Sequence, residues 1–118
     1  MDVTLNLDNT KVQMRKGILE YCILSTMAGA DEVYASDILG VLKEAKLLVV
    51  EGTLYPLLTR LKNAGMLSYE WKESTSGPPR KYYKLTPLGK KFLGELDATW
   101  NELEYAVKIS IKNRQNKA

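Results

Sequence analysis

The sequence contains no histidine and a single cysteine, Cys22. Without an imidazole it lacks the commonest general base, and without a thiol pair or histidine ligands it has no Cys/His zinc or copper site. A lone cysteine excludes an intramolecular disulfide, and nothing in the composition asks for an oxidising compartment. No apolar run is long enough to cross a membrane, and residues 1–10 carry no positive-then-apolar signal pattern, so a cytoplasmic protein with no membrane partner is expected. A glycine-rich phosphate loop after a strand is also missing. The carboxylates of Glu32, Asp37 and Glu51 have no nucleophile placed beside them. Neither an enzyme nor a cofactor or metal is expected.

Acid is absent from three stretches. None lies between Glu73 and Glu95, where Arg80, Lys81, Lys84, Lys90 and Lys91 fall. None lies between Glu51 and Glu70, around Arg60 and Lys62, and none follows Glu104, although Lys108, Lys112, Arg114 and Lys117 do. The overall charge of +3, from 17 basic and 14 acidic residues, is too small to decide anything. Local positive potential of this kind suits a polyanion. The 118 residues, 45% hydrophobic and 26% charged, suffice for one domain with its own core.

What is present reads as helices and one hairpin: a mainly α fold with a small β-hairpin, a winged helix-turn-helix plus a long C-terminal helix. Residues 1–10 read as an irregular lead-in in which Val3, Leu5 and Leu7 alternate. A helix follows over 9–28, with Met14, Ile18, Tyr21, Cys22 and Met27 at helical spacing and Ile23 and Leu24 thickening the stripe. Ser36 is placed to cap a short helix over 36–45, with Ile38, Leu39 and Leu42 inward. A third helix opens at Glu51 or Gly52 and runs to about 64. Leu54, Leu57, Leu58 and Leu61 share one face of it, and Gly52, Pro56, Thr59 and Asn63 the other, flanked by Thr53 and Arg60. Pro56 sits in the first turn, where its missing N–H costs little, and Gly65 suits the position just past the helix.

Alternation through Leu67, Tyr69 and Trp71, and again through Tyr83 and Leu85, predicts a hairpin with a turn over 74–79. Thr86 and Pro87 then cap and open a final helix to about 113. Its stripe is Leu88, Phe92, Leu96, Trp100, Leu103, Val107 and Ile111. The expected domains are a winged helix-turn-helix over 11–89 with its wing at 67–85, a dimerisation helix over 86–113, and a tail over 114–118.

This order of elements carries the functional reading. A helix whose outward residues are Thr53, Tyr55, Pro56 and Thr59 is slim enough to enter the major groove and polar enough to bond there. Arg60 and Lys62 lie further along, where phosphates are the expected contacts, and Ser36 joins the same set from the second helix. Arg80 and Lys81 beside Gly77, Pro78 and Pro79 make a stiff cationic wing suited to the minor groove or flanking backbone. Tyr82 and Tyr83 read as wing packing. The rival reading is a winged-helix module that docks protein without specific DNA binding. That role would call for an apolar patch where this chain carries cations and small polar groups.

The segments Thr53-Leu54-Tyr55-Pro56-Leu57-Leu58-Thr59-Arg60-Leu61 and Asn63-Ala64-Gly65-Met66-Leu67 resemble the PadR family signature. The stretch from Gly77 through Arg80-Lys81-Tyr82-Tyr83 to Thr86-Pro87-Leu88-Gly89, and Gly17-Ile18-Leu19-Glu20 with Ile23-Leu24, are similar to the same family. The likeness covers roughly residues 11–100. Tyr34-Ala35-Ser36-Asp37-Ile38 departs from the Tyr-Gly-Tyr-Glu-Ile of many members. The resemblance implies a repressor-type regulator that binds a palindromic operator in double-stranded DNA as a homodimer, of the short kind ending in one long helix. Leu96, Trp100, Leu103 and Val107 are its expected dimer contacts, since such a stripe needs a partner helix. In similar multidrug-responsive members a planar aromatic ligand stacks on a tryptophan of the last helix. Trp100 matches that position, and Met14 and Val107 are placed to line its sides.

Overall fold

The computed structural model describes residues 6–47, 49–74 and 77–116. Its elements run α1 (Leu7–Ala28), α2 (Ala35–Glu44), α3 (Glu51–Asn63), β1 (Leu67–Ser74), β2 (Gly77–Leu85) and α4 (Pro87–Asn116). The mainly α winged helix with a long last helix is therefore the observed architecture.

The core is built where three helices and the wing root meet. Leu19, Ile23, Leu24 and Met27 of α1 pack with Ile38 and Leu42 of α2, and with Leu54, Leu58 and Leu61 of α3. Leu67, Tyr83 and Leu85 close it from the wing. Each fully buried leucine or isoleucine contributes about 1.5–3 kcal/mol relative to exposure, so α3 is held by its three leucines and leaves its opposite face free.

The helix ends show how the chain turns between elements. Asn6 caps α1 by accepting from the Asn9 N–H at 3.2 Å, so the helix begins at Leu7 rather than Asn9. Residues 7–10, expected to be irregular, are helical, while Val3 and Leu5 lie outside the described residues. In α2 the cap is Tyr34 rather than Ser36. The Asp37 carboxylate reaches back to accept from the Tyr34 N–H at 2.9 Å, which satisfies an end donor and puts Ser36 inside the first turn. At the end of α3, Gly65 has φ +83°. Its N–H donates to the Lys62 carbonyl and that of Met66 to the Leu61 carbonyl, both at 3.0 Å, the paired bonds of a Schellman motif. Lys46 closes α2 in the same left-handed region at φ 62°.

The wing is an antiparallel pair in the register Leu67↔Leu85, Tyr69↔Tyr83, Trp71↔Lys81 and Lys72↔Arg80. Pairing resumes at Ser74↔Gly77 after an irregularity. Strand β2 thus includes Gly77, Pro78 and Pro79, which were expected in the turn; on this edge strand two prolines cost little pairing. The core side of the wing is pinned by Val33, which exchanges two backbone bonds of 2.8 and 2.9 Å with Tyr83.

Thr86 ties three elements together. Its N–H donates to the Met66 carbonyl at 3.1 Å, its hydroxyl donates to the Gly65 carbonyl at 2.6 Å, and the same oxygen accepts from the Gly89 N–H at 3.0 Å. From there α4 runs for 30 residues, and residues 114–116, expected in a tail, belong to it. Phe92, Leu93 and Leu96 pack on the core. Leu88, the first residue of the expected stripe, is exposed, as are Trp100, Leu103, Val107 and Ile111.

Candidate nucleic-acid interface

The free face of α3, the first turn of α2 and the wing bound one cleft of about 450 Å³ lined by Tyr34, Ser36, Glu51, Tyr55, Trp71, Pro79, Arg80 and Lys81 among others. Four residues expected to meet DNA, namely Ser36, Tyr55, Arg80 and Lys81, are therefore gathered in one place from three elements. An adjoining hollow of about 110 Å³ adds Thr59 and Lys62, again with Lys81. Tyr83 lies beneath both, with its phenol pKa raised first by burial and then by the neighbouring Tyr55 and Tyr69.

The remaining three of the nine expected residues lie on the other flank of α3. Thr53, Pro56 and Arg60 line a separate cleft of about 450 Å³ with Lys16, Leu19 and Glu20 of α1. Helical geometry explains the division: Tyr55, Thr59 and Lys62 lie on the wing side of the Leu54–Leu58 axis, and Thr53 and Arg60 on the α1 side. The Arg60 guanidinium, expected to be available to phosphate, is paired with the Glu20 carboxylate.

The wing cations rest on aromatic faces. Arg80 lies over Tyr34 with its guanidinium carbon 5.1 Å from the ring centroid, and Tyr34 stacks on Tyr82 at 3.9 Å and 37°. Lys81 Nζ lies 4.5 Å from the Tyr69 centroid and 5.2 Å from that of Trp71. Lys62 Nζ approaches the same Tyr69 ring from α3 at 5.7 Å. Such contacts hold a flexible ammonium or guanidinium in place without neutralising it. Lys72 also lies over a ring, 4.8 Å from the Tyr82 centroid, but its ammonium is bonded to the Glu32 carboxylate, and that bond holds its pKa above the usual lysine value. Sequence reasoning missed Tyr34 and Trp71 as members of this surface. Trp71 was legible through its cross-strand pairing with Lys81 once the register is known; for Tyr34 only tertiary packing reveals the stack.

The expected ligand set lies on α1 and α4. Trp100 is exposed and sits 6.4 Å from the Tyr21 ring at 39°, and the Tyr21 hydroxyl donates to Asp97 at 2.6 Å. Met14 and Val107 each lie two turns away along their own helices and are 72% and 56% exposed. No group of three or more metal-ligating side chains occurs among the described residues.

Comparison with known proteins identifies the family. Residues 23–95 match the model of the transcriptional regulator PadR-like family. The structure of a PadR-like transcription factor from Bacteroides fragilis is 66% identical, with a TM-score of 0.71, over 85% of this chain and 96% of that one. Bacillus subtilis PadR, solved in complex with operator DNA, is 26% identical with a TM-score of 0.61, over 67% of this chain and 46% of that one. An uncharacterised protein of Lysinibacillus sphaericus is 33% identical over 61 residues, so this chain matches only 56% of that relative's length.

Proposed function

The chain belongs to the PadR-like family of transcriptional regulators, and from that premise we propose that it is a sequence-specific DNA-binding repressor acting as a homodimer on a palindromic operator. The observation that carries the reading is the convergence of Ser36, Tyr55, Arg80 and Lys81 on one cleft beside the free face of α3. In this reading α3 enters the major groove with Tyr55 and Thr59 on its wing flank and Thr53 and Pro56 on its α1 flank. Arg60, Lys62, Arg80 and Lys81 hold phosphates and the neighbouring groove, which fixes the helix in register. Arg60 reaches phosphate by leaving Glu20, an exchange of one anion for another.

The exposed stripe Trp100, Leu103, Val107 and Ile111 supports the homodimer, with Leu96 at its inner end. A two-fold dimer places two α3 helices about one DNA turn apart, roughly 34 Å. Trp100 beside its symmetry mate offers a stacking face to a planar aromatic molecule, with Met14 and Val107 at its sides, and such a ligand would shift the dimer off DNA by preferring the unbound form.

The experiment is a salt titration of binding to the region upstream of the chain's own gene. Affinity is expected to fall steeply as salt rises, and Arg80→Ala with Lys81→Ala to weaken binding across sequences and lower the slope by about 1–2. Absent or salt-independent binding overturns the regulator reading in favour of protein docking. Quenching of Trp100 emission by a planar cationic dye tests the ligand; no response to any such dye removes that part alone.

A further inference from the structure

Two ammonium groups converge on one aromatic ring between α3 and the wing. Lys62 approaches Tyr69 from the helix at 5.7 Å and Lys81 from the hairpin at 4.5 Å. Among the described residues neither enters an ion pair. Next to them the Trp71 indole, 5.2 Å from Lys81 Nζ, is 61% exposed and meets Tyr69 edge-on at 89°. A large indole left open on the inner face of a hairpin, with an unpaired cation at its edge, is costly in water and suits an occupant that is anionic at one end and apolar beside it.

Duplex DNA supplies that occupant. A helix in the major groove and a hairpin at the adjoining minor groove have a single sugar-phosphate strand between them, because that strand is what divides the two grooves. Phosphate and deoxyribose alternate along it, one charged and one with an apolar face.

We propose that the groove between α3 and the wing is a seat for one backbone strand, in which Lys62 and Lys81 bracket a phosphate above Tyr69 and Trp71 lies against the adjoining deoxyribose. This rests on the DNA-binding reading and adds to it a residue that grips without charge. Glu51 is the acidic residue lining the cleft on the Trp71 side, and it does not line the hollow that holds Lys62, Tyr69 and Lys81.

The test labels the protein with fluorotryptophan and assigns the Trp71 fluorine resonance by its loss in Trp71→Phe. The resonance is followed as the upstream duplex is added at low salt. Affinities of Trp71→Ala, Trp71→Phe and Lys81→Ala are measured across salt, with melting curves to verify folding. The Trp71 resonance is expected to shift. Trp71→Ala is expected to weaken binding by about fivefold to tenfold at every salt concentration, as the loss of a few tens of Å² of apolar contact implies. Its salt slope should remain that of the parent, and Trp71→Phe should recover most of the affinity. Lys81→Ala should lower the slope by about 1. An unmoved resonance with unchanged affinity overturns the seat. So does a slope that falls in Trp71→Ala as it does in Lys81→Ala, because Trp71 would then act only by holding the lysine. Binding with a silent Trp71 sinks this inference alone, whereas no binding at any salt sinks the regulator reading beneath it.

Discussion

Glu20 and Tyr21 are neighbours on α1 that serve different elements. Glu20 pairs with Arg60 of α3, and Tyr21 donates its hydroxyl to Asp97 of α4 at 2.6 Å. The Tyr21 phenol is held above its ordinary value by that hydrogen bond first, then by partial burial and the Asp97 charge. The sign follows directly. A group whose folded pKa is raised stabilises the fold fully below its unfolded value of about 10, and that contribution is lost as pH rises through the folded value. In an alkaline absorbance titration Tyr21 and Tyr83 should therefore ionise above the ordinary tyrosine value of about 10, and Tyr21→Phe should remove one such late step. The stability difference between Tyr21→Phe and the parent should shrink above the ordinary tyrosine range. A difference that stays constant through that range would mean the Asp97 bond contributes nothing to folding.

Among the elements, the joint between wing and α4 has the tightest tolerance. A Cβ on Gly89 would lie 2.1 Å from the Met66 carbonyl oxygen, whereas one on Gly94 meets nothing within 4 Å. Gly89→Ala must push α4 off the wing root and is expected to cost about 1–3 kcal/mol. Gly94→Ala should stabilise α4 by up to about 1 kcal/mol. Thermal melts of the pair give opposite shifts if this packing is right. Most elements were legible from local patterns: the leucine face of α3, Gly65 past its end, the alternation of the wing, and Thr86-Pro87 opening α4. The misses have physical causes. Asn6 and Asp37 both compete for helix ends, and a cap one or two residues off leaves the same apolar pattern. Lys46 stops α2 in a conformation usually given to glycine, so no residue type announced it. The division of the α3 surface between wing and α1 depends on which flank each neighbour covers, and periodicity along one helix is silent on that. Glu20 stands far from Arg60 in the chain, and nothing in either segment announces the pair.

For the whole molecule, the long dimension of 60 Å against 33 and 25 Å reflects α4 extending past the core with its apolar stripe uncovered. If a second copy covers it, Leu103→Glu sets like charges near the two-fold axis. The parent should then sediment as a dimer and the variant as a monomer. Operator affinity should fall by about a hundredfold or more, because the two half-sites are no longer held by one particle. A Leu103→Glu protein that remains dimeric would move the interface elsewhere on the chain. The Thr86 junction gives this arrangement a mechanical meaning. It fastens the base of a rod about 45 Å long to the same point that ends α3 and begins the wing. A rotation of about 5° at that fulcrum swings the far end of the rod by roughly 4 Å. In the proposed dimer, a small molecule wedged between two such rods would not need to reach the DNA surface to change the gap between the two α3 helices; it would only have to alter the angle at which the rods cross.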